Sequence, residues 1–201
     1  VTATSDTVTY GNGFELNYTG KLIGDDKFTG TLSLKDAAYS SSGKLSVGSY
    51  AIEQGTLDAG SNYNLYFTSG ILEVEKATLT VSSVTAADKV YNGTDAAEMT
   101  GYSFGEIISG DIVKLTGSGK FADRNASDIA KTVTFTGLSI SGADADNYDF
   151  QSSEITTSAM ISKADVTVTA TSDTVTYGNG FELNYTGKLI GDDKFTGTLS
   201  L

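Results

Sequence analysis

Three carboxylates crowd into the run SGADADNYDF at 141–150, at Asp144, Asp146 and Asp149. A hard cation such as Ca2+ binds through several carboxylate and carbonyl oxygens, so these three are the candidate metal ligands of the chain, and Ca2+ is the one cofactor with any candidate site. The run lacks the calcium-binding loop that closes on a terminal Glu, and the parallel stretch TLDAGSNY keeps only Asp58. A second reading is favoured: the Asp and Asn side chains bond their own backbone in a tight turn just before a strand that begins at Tyr148. The shorter acidic turns GDD at 24–26 and GD at 110–111 are read the same way, so no metal and no cofactor is assigned.

Other chemistry is closed off by composition. Cys, His, Trp and Pro are all missing, which removes disulfides, thiolate sites, the commonest general base and the commonest metal ligand. Acids are plentiful, but nothing marks a facing pair of the kind glycoside hydrolysis needs. No catalytic residue is named, and the chain does not read as an enzyme. A formal charge of −12 repels phosphate backbones and argues against nucleic acid. The 11 tyrosines could stack on sugars, yet the pair Asn-Tyr recurs at 62–63 and 147–148, which suits a shared core role in which a tyrosine pins a corner. NYT at 17–19, NGT at 92–94 and NAS at 125–127 match the N-glycosylation pattern, which matters only in a secreted eukaryotic setting. Lys76 and Lys163 lie near final strands, where a covalent cross-link to an Asn could lock the end of a domain, but no partner is identified. No apolar run is long enough to span a membrane.

The elements that must carry these residues are strands. DVTVTA, TVTY, TLTV, KTVTFTG, GLSISG and ILEVE place apolar residues at every second position against a Thr-, Val- and Tyr-rich background. Helical periodicity is nearly absent, and only DAAEM at 95–99 could hold a helical turn. The 23 glycines fall mostly at the ends of the strand-like runs. Short strands between regular turn signals predict an all-β chain of small, Ig-like β-sandwiches with little or no helix.

Repetition organises these strands at two levels. Val1–Leu34 and Val168–Leu201 are identical throughout, a period of 167 residues. Within one period VEKATLTVSSVTAADKVYNGT at 74–94 aligns with ISKADVTVTATSDTVTYGNGF at 161–181, and Tyr91 falls opposite Tyr177 with one residue of slippage. LIGDD at 22–26 likewise aligns with IISGD at 107–111. The expected modules are 1–76, 77–163 and the first strands of a third at 164–201. Their joints, GILEVEKATLTV and SAMISKADVTV, read as near-continuous strands with no flexible linker, which predicts an extended rod-like array. Residues 168–201 cannot close a core alone. They are expected either to be followed by the rest of their module or to complete an identical copy by strand exchange.

The first module resembles the MBG domain of bacterial surface and filamentous adhesin-type proteins, on TYGNGFELNYTG (9–20), VGSYAI (47–52), SNYNLYF (61–67) and GILEVEKA (70–77). The second resembles the companion YDG domain, on KVYNGTDAA (89–97), SGDIVKLTGSGKFADRN (109–125), KTVTFTGLSISGADADNY (131–148) and ISKA (161–164). Tyr91-Asn92-Gly93 stands where that family has Tyr-Asp-Gly, and Ala126-Ser127-Asp128 stands where a Gly-containing turn is usual. The resemblance implies tandem domains in a long secreted or surface-anchored protein, acting as stalk or fibre, with neighbouring repeats as partners and no catalytic residues. The competing reading is an adhesion module that binds host glycan or mucin through exposed Tyr.

Overall fold

The computed structural model describes residues 1–172, 174–197 and 199–200. Its strands are β1 (Thr2–Ala3), β2 (Asp6–Thr9), β3 (Tyr18–Thr19), β4 (Ser33–Leu34), β5 (Gly48–Glu53), β6 (Ile71–Glu75), β7 (Ala77–Ala86), β8 (Lys89–Val90) and β9 (Ala96–Ala97). There follow β10 (Met99–Gly105), β11 (Lys114–Phe121), β12 (Lys131–Ser141), a single 3-10 turn at Ala145–Asn147, then β13 (Tyr148–Phe150), β14 (Glu154–Ala159), β15 (Ile161–Ser162), β16 (Thr169–Ala170) and β17 (Tyr185–Thr186). The chain is all-β, built of several small sheets. It divides into two compact units: residues 1–83, 102–117 and 137–154 form the first, and residues 84–101, 118–136 and 155–201 the second.

In the first unit a four-stranded sheet runs in the order β2-β6-β5-β4. Residues 6–9 lie parallel to residues 72–75, while β5 is antiparallel to both its neighbours. Alternation decides which face is buried: Tyr50 and Ile52 from β5 and Leu72 and Val74 from β6 point inward, and the alternate residues Glu73 and Glu75 stay in water. These four join Ala3, Tyr10, Leu45, Leu79 and Tyr148 in one core. β13 lies parallel to the start of β7, pairing Tyr148 with Ala77, so Tyr148 enters this core too.

The second unit has its own buried set in Val84, Phe121, Val133, Phe135, Ala159 and Ile161. Ile161 pairs in parallel with Lys89, and β9 pairs antiparallel with the end of β11. Gly119 is required there by contact: a Cβ would lie 2.4 Å from the Phe135 ring and 2.7 Å from the Ala97 carbonyl oxygen.

Several local expectations change. DAAEM holds strand, because Ala96 and Ala97 find partners in Lys120 and Gly119. KTVTFTG and GLSISG merge into one strand, β12, through Gly137 at φ 61°, a left-handed kink that glycine accepts readily. The two joints also differ. β6 and β7 are separated only by Lys76, whereas residues 163–168 are not strand. Residues 174–176, the counterparts of Thr7–Thr9 in β2, are not strand either; β2 is held by β6, and the repeated stretch contains no counterpart of β6.

Candidate functional site

Tyr10 follows β2 directly, and its N–H donates to the Glu75 carbonyl at 2.8 Å, which seats the side chain in the core of the first unit. Its hydroxyl donates to Asp111 Oδ2 at 2.6 Å, and the Tyr148 hydroxyl donates to the same oxygen at 2.6 Å. The Tyr148 oxygen in turn accepts the Ile108 N–H at 2.9 Å. The two rings meet edge to face, centroids 5.5 Å apart at 82°. Short bonds to a carboxylate are charge-assisted and stronger than neutral ones. Burial first, and the bond to Asp111 second, raise both tyrosines above the ordinary phenol range, so each remains a neutral donor. Asp111 Oδ1 is buried and has no partner.

Backbone shape completes the contact. The Asp111 N–H donates to the Ile108 carbonyl at 3.1 Å, closing a turn that presents Ile108 and Asp111 together. Ile108 lies over Gly11, where a Cβ would fall 2.5 Å from the Ile108 Cδ1. Gly11 is also at φ 89°, so both the space and the backbone call for glycine.

Beside this contact lie the two buried polar side chains of the described residues, Asp144 and Asn147. Asp144 accepts the Ser41 N–H at 2.9 Å through Oδ1 and the Ile112 N–H at 2.7 Å through Oδ2. Asn147 Oδ1 accepts the Val47 N–H at 2.9 Å. The strand does begin at Tyr148, but these side chains reach far along the chain and do not close a local turn. Burial alone would raise the Asp144 pKa; the Ile112 and Ser41 N–H groups outweigh it, and the carboxyl sits below its usual range. Asp146 and Asp149 are exposed, and Asp149 accepts from Gln151 Nε2 at 2.6 Å. Among the described residues no group of three or more His, Cys, Asp or Glu is placed to hold a metal ion.

A related arrangement stands in the second unit. The Tyr91 hydroxyl donates to Asp193 Oδ2 at 2.7 Å, and this bond raises the Tyr91 pKa. Arg124 lies 3.9 Å from Asp193 Oδ1. Gly93 approaches Ile190, whose Cγ2 would be 3.2 Å from an added Cβ, and the Asp193 N–H bonds the Ile190 carbonyl at 3.3 Å. Lys89 holds the Tyr91–Gly93 turn from behind. Its ammonium donates to the carbonyls of Thr94 and Ala96 at 2.8 Å, to Asn92 Oδ1 at 3.2 Å, and lies 5.2 Å from the Phe121 ring centroid.

Both contacts follow one rule, in which a Tyr and a nearby Gly receive an Ile and an Asp three residues apart. Residues 1–73 match the family model of the MBG domain (YGX type), and residues 75–157 match that of the YDG domain. The chain carries an MBG domain followed by a YDG domain. These are domains of repeat and adhesin-type proteins. No curated protein and no solved structure matches the chain. In the MBG domain, Tyr10 and Gly11 of the Tyr-Gly motif are the residues that meet Asp111 and Ile108 of the YDG domain. In the YDG domain, Tyr91 and Gly93 meet Asp193 and Ile190 of the repeated stretch.

Sequence reasoning singled out Asp144 and the GD turn at 110–111 as acidic turns, but it did not connect Asp144 to residues 41–47 or Asp111 to Tyr10, and it passed over Ile108. A signal was present: LIGDD aligns with IISGD, and Tyr91 aligns with the copy of Tyr10. What the alignment withholds is that each Tyr meets the acid of the other type of domain.

Proposed function

We propose that the chain is a segment of an extracellular bacterial stalk or fibre in which MBG and YDG domains alternate, with modules at 1–76 and 77–163 and a further one starting at 164. The observation that carries this reading is where buried polarity is used. Asp144 and Asn147 of the YDG domain both bond backbone of residues 41–47 in the MBG domain, beside the shared Tyr10, Asp111 and Tyr148 contact. Buried polar groups are costly unless fully partnered, and what they return is specificity of packing. A joint built this way resists swivelling, which a projecting or connecting protein requires and a catalyst does not. Neighbouring repeats are then the principal partners. Val168, Val175, Phe181 and Leu183 of the repeated stretch are exposed, and we propose that a segment like 35–76 covers them, from the continuing chain or by exchange with an identical copy.

Solution scattering on chains of one, two and three periods tests the stalk. Compact domains of this size are about 30–40 Å long, so the maximum dimension is expected to grow by a constant step of roughly 70 Å per period. A dimension that stops growing as periods are added sinks the reading.

A second reading, glycan adhesion, has one specific foothold. Phe28, Tyr63 and Tyr66 line a shallow recess with Lys21 and Asn64, and Tyr66 is 82 % exposed. Aromatic faces beside hydrogen-bonding groups suit a sugar ring. Glycan-array signal abolished by Tyr66→Ala would favour adhesion, and background signal from the unaltered chain would remove it.

A further inference from the structure

We infer that the turn Ile23–Asp26 of the MBG domain is a docking surface, and that its occupant is the Tyr-x-Gly turn of a second YDG domain placed ahead of Val1. Three versions of one arrangement, one complete and two half-filled, carry this. Around Asp111 the arrangement is complete: Tyr148 of the same domain and Tyr10 of the preceding one both donate to the carboxylate, and Tyr148 also accepts the Ile108 N–H. Around Asp26 the internal half is present. Tyr63 donates to Asp26 Oδ2 at 2.6 Å and accepts the Ile23 N–H at 3.2 Å, as Tyr148 does for Asp111 and Ile108. Around Asp193, which is Asp26 one period later, the external half is present in Tyr91.

Identical residues thus occur once with the partner and once without. Leu189, Ile190 and Asp193 line a cleft with Tyr91, Asn125 and Ala126, and Ile190 is half-buried. Ile23, its counterpart, is 80 % exposed. The turn itself does not change: the Asp26 N–H bonds the Ile23 carbonyl at 3.3 Å, as Asp193 bonds Ile190. Sequence and turn being equal, the neighbours differ: Asp26 has Tyr63 and leaves Ile23 exposed, whereas Asp193 has the Tyr-x-Gly turn, and there the Ile is half-buried. The docking surface rests on this joint chemistry and not on the stalk role, so its failure would leave the scattering test of the stalk untouched.

The chain contains no Cys, so Ile23→Cys gives a single thiol whose reaction with a maleimide reads exposure. It is measured in the 201-residue chain and in a chain extended at its N-terminus by one period, residues 1–167, with the Cys in the second period only. Labelling is expected to slow by about tenfold or more in the extended chain, as for a coupling that shifts an equilibrium by one decade. Tyr91→Ala in the YDG domain immediately before the thiol should restore the fast rate. Equal rates in the two chains overturn the proposal, and so does slow labelling that ignores Tyr91→Ala. Because Cys itself trims the contact, a double-mutant cycle of Ile23→Ala and that same Tyr91→Ala is run on the thermal midpoint of the extended chain. Non-additive shifts support the contact; additive shifts overturn it.

Discussion

At the scale of single residues the chain offers an internal control for its own joint. Gly11 and Gly178 occupy identical sequence and the same φ of 89°, but an added Cβ at Gly11 would strike Ile108 and one at Gly178 would meet nothing within 4 Å. Ala at either position carries the left-handed backbone cost of about 1–2 kcal/mol. Gly11→Ala is expected to lose a further ~1–3 kcal/mol by overpacking, measured as the difference between the two variants in denaturant unfolding. Asp144→Ala takes the buried acceptor away from the part-buried Ser41 and Ile112 N–H groups and should cost about 1–3 kcal/mol, with Asp144→Asn milder because an amide oxygen can still accept. The pH dependence has two edges. Asp144 holds its proton less tightly folded than unfolded, so its stabilisation is present above the ordinary value of 3.8 and is lost as pH falls through the lower folded value. Tyr10 and Tyr148 are raised in the fold, so the folded chain keeps protons that the unfolded chain releases above 10.0, and stability falls as pH rises beyond that. Thermal midpoints against pH should drop at both ends, and Tyr10→Phe should soften the alkaline edge.

At the scale of elements, strand identity was readable from alternation wherever the strand has its partner in hand. ILEVE became β6 and TLTV lies within β7 because period-two patterning is sufficient when one face is buried. The same letters TVTY form a strand at 7–9 and none at 174–176, since pairing with β6 decides, and no local pattern encodes the presence of β6. The acidic run was legible as unusual but not as a joint: Asp144 meets Ser41 across 103 residues, a separation that composition and spacing do not reveal. Gly119 belongs to this scale as well. Gly119→Ala must displace the Phe135 ring or the β9 backbone, and is expected to destabilise the second unit by about 1–3 kcal/mol, seen as faster amide exchange at 96–97 and 133–135.

At the scale of the whole molecule, the two joints should respond independently. Every partner of the Asp111 contact lies between Tyr10 and Tyr148, so deleting residues 164–201 is expected to leave its amide protection unchanged. The same deletion removes Asp193, so amide exchange at 91–94 should quicken. Exchange measured on the truncated and full chains checks both outcomes at once. There is also a consequence for how such a gene can change. Because 1–34 and 168–201 are letter-for-letter identical, recombination between them adds or deletes 167 residues at a stroke, and the new junction reads the same as the old. Every Tyr-Gly turn then keeps the same kind of neighbour it had before. Length can therefore drift between lineages in whole-period steps without passing through a mispaired intermediate.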